Sequence, residues 1–87
     1  MNQKVENFLQ DGYSLHQSGY FEEAVKLYLA VLSEDEDNIH ALNLMGMLCV
    51  NAFRPDEAVV YISRALKKEP KNPESHANLA LAYKDIG

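Results

Sequence analysis

The sequence predicts an all-α fold of antiparallel helix-turn-helix repeats stacked as an α-solenoid. Two observations carry this. Shifted by 34 residues, the chain aligns with itself, and within each copy apolar residues recur three and four positions apart. Gly12 falls on Gly46, Glu23-Ala24-Val25 on Glu57-Ala58-Val59, Leu32 on Leu66 and Asn38 on Asn72. Val5, Phe8 and Tyr28 fall on Ile39, Leu42 and Ile62. A third copy begins after Asn72, where Met45, Gly46 and Cys49 map onto Leu79, Ala80 and Tyr83, and it runs as far as Gly87. No segment reads as a strand.

The first helix, residues 3–17, carries Val5, Phe8, Leu9, Gly12 and Leu15 on one face, and Gly19 supplies the left-handed residue that ends it. The second, 21–33, opens with Glu22 and Glu23, whose carboxylates suit a helix N-terminus, and packs through Ala24, Leu27, Tyr28, Val31 and Leu32. The acidic run Glu34-Asp35-Glu36-Asp37 opposes the dipole at a helix C-terminus and closes it. Asn38 caps the third helix, 39–52. Pro55 stands in the first turn of the fourth, 55–68, with Asp56 and Glu57 behind it, and Pro70 lies beyond its end. Asn72-Pro73-Glu74 starts the fifth, 73–86. Small residues at Gly12, Gly46 and Ala80, and at Ala24 and Ala58, let helices approach closely, while Phe8, Leu15, Phe21, Tyr28, Leu42 and Ile62 fill the space between. Each pair buries its open face only against the next, so Leu79 and Tyr83 are expected to cover the third and fourth helices.

At 87 residues the chain is one domain, with repeat one at 5–38, repeat two at 39–72 and a half repeat at 73–87. A hydrophobic fraction of 47% and a charged fraction of 24% exclude wholesale disorder. The single cysteine, Cys49, rules out an intramolecular disulfide framework, and neither a membrane span nor a signal peptide is legible; the expectation is a cytoplasmic chain. The net charge of −5 repels phosphate backbones and anionic lipid, so neither nucleic acid nor membrane is expected as partner. His16, His40 and His76 do not recur at the repeat period, no pair of them lies within four residues, and no phosphate-cradling glycine loop or strained Gly-x-Ser-x-Gly turn occurs. No metal, cofactor or catalytic residue is expected.

A 34-residue helix pair with Gly12 followed three residues later by Leu15, then Gly19, an aromatic, Ala24, Tyr28, Leu32 and a closing Pro70 to Asn72, resembles the tetratricopeptide repeat. The likeness covers essentially the whole chain. Asp11 departs from it where Met45 and Leu79 keep an apolar residue, which suggests a first repeat with a solvated outer side. Glu36 stands in place of the proline that Pro70 supplies, and Phe53 in place of the turn glycine. A bulky residue tolerates positive φ poorly, so Phe53 puts its local turn in question. The segments 41–48 and 76–87 look like tetratricopeptide arrays preceding bacterial glycosyltransferase domains of the O-linked N-acetylglucosamine transferase type. Asn78 matches the inner-helix asparagine of that family, whereas Gln10 and Leu44 hold the equivalent places, so no asparagine ladder is present. The carboxylate clamp of co-chaperone arrays is not matched either: its places hold Leu9, Tyr13, Leu44, Glu74 and Asn78.

The resemblance implies a binding module without catalysis, whose first helices line a concave groove. Leu9, Tyr13, His16, Asn43, Met47, Val50, Asn78, Leu81 and Lys84 face it, with the apolar members holding a peptide and Asn43 and Asn78 bonding its main chain. The same residues are also placed to pack neighbouring repeats. An alternative is the front of a longer, glycosyltransferase-like bacterial enzyme, in which the array recognises substrate or self-associates. The outer side of the fifth helix is expected to leave parts of Ala80, Tyr83 and Ile86 exposed, a surface on which two copies could associate.

Overall fold

The computed structural model describes residues 3–87 as five helices in the expected order: α1 (Gln3–Gln17), α2 (Phe21–Glu34), α3 (Ile39–Asn51), α4 (Pro55–Lys68) and α5 (Pro73–Ile86). Boundaries agree with the sequence reading except that α2 ends one residue later and α3 one residue earlier. Asn38 and Asn72 cap α3 and α5 by accepting hydrogen bonds from the backbone N–H of Ala41 and Ser75, each at 2.9 Å. Pro55 and Pro73 occupy first-turn positions, where a missing N–H costs nothing.

The turns within the two pairs share one geometry. After α1, Gly19 has φ 88°, its N–H donates to the His16 carbonyl at 3.0 Å, and that of Tyr20 donates to the Leu15 carbonyl at 2.8 Å. After α3, Phe53 has φ 62°, its N–H donates to Val50 at 3.1 Å and that of Arg54 to Cys49 at 2.8 Å. Both are Schellman closures. The turn questioned at Phe53 therefore forms as in repeat one, with an aromatic residue held in the left-handed region.

α1 packs on α2 and α3 on α4, while α5 lies against α4 and α3. The close approaches have a steric cause. A β-carbon on Gly12 would stand 2.6 Å from Tyr28 Cε1, and one on Gly46 would stand 2.5 Å from Ile62 Cγ1, so each glycine is the socket for a large side chain of its partner helix. Tyr28, Ile62, Leu42, Val31, Ala24 and Ala58 are fully buried around these contacts. α5 completes the stack. Ala82 is buried and Leu79 is packed on the core, while Tyr83, 55% exposed, is covered only in part. Ala80 and Ile86 are exposed with it, as the reading of that side predicted.

Candidate functional site

Helices α1, α3 and α5 repeat their positions at 34-residue intervals, so Tyr13, Met47 and Leu81 occupy equivalent places on three successive helices. Tyr13 is 45% exposed, Leu81 51% exposed and Met47 half-buried, while Leu9 and Val50, half-buried, pack beside them against the core. Glu6, His40, Gln17, Asn51 and Lys84 are exposed on the same helices. The repeat spacing sets these three large apolar groups among polar residues, because 34 residues bring the chain to the equivalent position on the corresponding helix of the next repeat.

A cavity of about 550 Å³ lies where the start of α1 meets the α2–α3 junction, with Leu9 in its wall. Val5 and Leu9 give it an apolar wall, and Glu6, Glu34 and Asp35 line it with carboxylates. Lys4 Nζ lies 3.4 Å from Glu34 Oε1 at its edge.

Three of the residues assigned to the groove lie beneath the surface. His16 is buried, with Nε2 2.7 Å from Asn51 Oδ1 and Nδ1 3.4 Å from the Tyr28 hydroxyl. The Nε2–H tautomer satisfies both contacts, since that N–H donates to Asn51 while Nδ1 accepts from Tyr28. Asn43 is buried and accepts at Oδ1, at 2.7 Å, the hydrogen bond donated by the Ser75 hydroxyl. Asn78, also buried, donates from Nδ2 to the Asn43 carbonyl at 3.5 Å. Their polar atoms thus tie α1 to α2 and α3, and α3 to α5, rather than facing outward to a peptide backbone. The reason is shared: in a stacked array the inner helices touch each other, and a polar group caught there is retained only with a partner.

Ser75 and Asn51 complete these links and went unnoticed in the sequence. Asn43 and Ser75 are partners across two helices, and no helical period announces such a pair. The one available signal was Ser75 in the first turn after the Asn72 cap, which accounts for its bond to Asn72 but not for its bond to Asn43.

Cys49 is buried against α4. Burial pushes its thiol up to about 11, Glu57 adds to the rise and Arg54 opposes it. Tyr28 is pushed up to about 12, by burial first and Tyr13 second. Among the described residues no three His, Cys, Asp or Glu side chains gather in a way that would hold a metal ion, and no helix is long and apolar enough to cross a membrane.

Comparison with known proteins agrees with the architecture. The chain is 32% identical over 75 residues to the rhomboid protease GluP of Bacillus subtilis (strain 168), an alignment covering 86% of this chain and 15% of that protein. It is 32% identical over 73 residues to the probable UDP-N-acetylglucosamine–peptide N-acetylglucosaminyltransferase SPINDLY of Hordeum vulgare, covering 84% of this chain and 8% of the relative. The chain thus spans less than a sixth of either relative's length. Residues 15–82 match the profile of the tetratricopeptide repeat. With its five antiparallel helices, glycine sockets and 34-residue period, the chain belongs to the tetratricopeptide repeat family.

Proposed function

We propose that the face formed by α1, α3 and α5 binds a peptide segment of a partner protein, without catalysis by this module. The observation that carries the reading is the strip of Tyr13, Met47 and Leu81, three large apolar side chains at equivalent positions on successive helices and open to solvent to differing degrees. Leu9 and Val50 widen it, and the adaptable thioether of Met47 accommodates varied side chains. The acidic cavity beside Leu9 suits a lysine or arginine of the same peptide, whose aliphatic stem would lie on Val5. His16, Asn43 and Asn78 serve the groove by holding its helices in register, and Lys84 flanks the Leu81 end. Tetratricopeptide repeats generally mediate protein–protein interaction, which supports this use of the face.

Selection from a displayed peptide library, followed by titration of the chosen peptide, tests it. Tyr13→Ala and Leu81→Ala should each weaken binding by about tenfold, roughly 1.4 kcal/mol, with melting unchanged. Retained affinity in both variants would refute the assignment.

A second reading is favoured by coverage: both relatives carry enzyme names, and the aligned region is a small share of each. On this reading the module serves a longer enzyme, and sequencing the gene beyond the codon for Gly87 tests it. Self-association through Tyr83 and Ile86 on α5 is a further proposal about the same module. Light scattering over a concentration series at two salt levels tests it, because salt screens the repulsion between chains of net charge −5.

A further inference from the structure

The outer helices α2 and α4 leave a gap: among the described residues no Cα of one comes within 8 Å of a Cα of the other. A crevice of about 320 Å³ fills it, at the small end of the range for binding pockets. Its floor is Met45, Leu48 and Cys49 of α3, which are core residues, so the bottom of the crevice is the hydrophobic interior itself. Those residues lie on the side of α3 opposite Met47 and Val50, since 100° per residue separates the two sets by about half a turn of the helix. Leu29 and Tyr61 stand on the walls, and Leu29 is 43% exposed.

Phe53 is the second observation. Ala52 and Arg54 both line the crevice, and Phe53 between them is 91% exposed with φ 62°. The equivalent turn of repeat one uses Gly19. An aromatic ring here adds backbone strain and exposed apolar surface together, with no packing in return. Strain of this kind concentrates where a residue meets a ligand.

Charge selects the occupant. Glu22 and Glu57 line the crevice, and Glu23 and Asp56 adjoin them in the first turns of α2 and α4. Arg54 is the one cationic side chain among the lining residues, and its guanidinium lies 3.9 Å from Glu57. The Tyr61 hydroxyl is raised by burial first and then by Cys49 and Glu57, with Arg64 opposing. A second copy of this chain would bring the same carboxylates and a net charge of −5.

We infer that the crevice between α2 and α4 is a docking site for a basic amphipathic helix of a partner protein, distinct from the α1–α3–α5 face. Apolar side chains of that helix enter over Met45 and Leu48, its lysines or arginines meet Glu22 and Glu57, and the Phe53 ring covers them from the turn. The site does not depend on the peptide groove.

A helical peptide of about 18 residues built from leucine on one face and lysine on the other serves as the probe, titrated into the isotopically labelled chain and followed by amide shifts. Shifts should centre on Phe21, Leu29, Leu48, Phe53 and Tyr61, and a peptide with glutamate for lysine should not bind. Leu29→Asp should lower affinity about tenfold or more, while Leu81→Ala leaves it unchanged. Phe53→Gly should raise the melting temperature and weaken the peptide together, a combination that a purely structural Phe53 does not give. Shifts centred on Tyr13, Met47 and Leu81, equal binding of the glutamate peptide, no binding at millimolar concentration, or full affinity in Phe53→Gly would each overturn the proposal. So would crevice shifts that grow with protein concentration alone, since these would assign the site to a second copy.

Discussion

One missing carbon at Gly46 decides how closely α3 and α4 approach, because a β-carbon there would sit 2.5 Å from the Ile62 side chain. Gly46→Ala should therefore destabilise by about 1–3 kcal/mol through overpacking, despite a helix-propensity gain of up to about 1 kcal/mol, and urea midpoints measure the net. Cys49 is the other single-residue case. Its thiol is buried and raised to about 11, so it should resist alkylation in the folded chain at neutral pH and react readily in urea. The linkage runs in one direction: the unfolded thiol ionises near its ordinary value of 9.0 while the folded one stays protonated to about 11. Stability contributed by Cys49 is complete below pH 9 and is lost as pH rises toward 11. Tyr28, raised from 10.0 to about 12, extends the same loss. Melting temperatures between pH 7 and 12 should fall across that window, and a flat profile would contradict it.

Among the elements, α5 shows how a cap and a core contact are combined in one residue. Asn72 accepts from the Ser75 N–H at 2.9 Å, and the single proton of the Ser75 hydroxyl is shared between Asn43 Oδ1 at 2.7 Å and Asn72 Oδ1 at 3.1 Å. Asn72→Ala should therefore cost at least the ~1 kcal/mol of an ordinary N-cap, and more than Asn38→Ala. Asn38 caps α3 through Ala41, which has no hydroxyl to orient. Denaturant midpoints of the two variants give the comparison; equal losses would show that the Asn43–Ser75 link does not depend on its neighbour.

For the molecule as a whole, stability is a sum over stacked pairs, because each pair buries its open face only against the next. Removing residues 73–87 would take Leu79 and Ala82 off α3 and α4 and leave Asn43 without Ser75. We expect a loss of several kcal/mol and a clear drop in melting temperature. An unchanged transition would mean that the first four helices are stable without the fifth. Stacking also determines which surfaces remain to bind. The inner strip of Tyr13, Met47 and Leu81 and the outer crevice over Met45 and Leu48 are what helix-on-helix packing leaves uncovered on opposite sides of α3.

The sequence alone determined the repeat length, the five helices of the described residues, the asparagine caps of α3 and α5 and the small residues at the close contacts, because these depend on residues within one helix or on a copy 34 positions away. It also marked Tyr13, Met47 and Leu81 as equivalent, since equivalence is periodic. It did not reveal that His16, Asn43 and Asn78 turn their polar atoms toward neighbouring helices. Helical periodicity assigns a residue to a face, but whether that face meets solvent or another helix depends on how the pairs stack. The gap between α2 and α4 was hidden for the same reason: it exists only once both helices have packed on α3, and no spacing along the chain encodes the distance at which two helices of different pairs then stand.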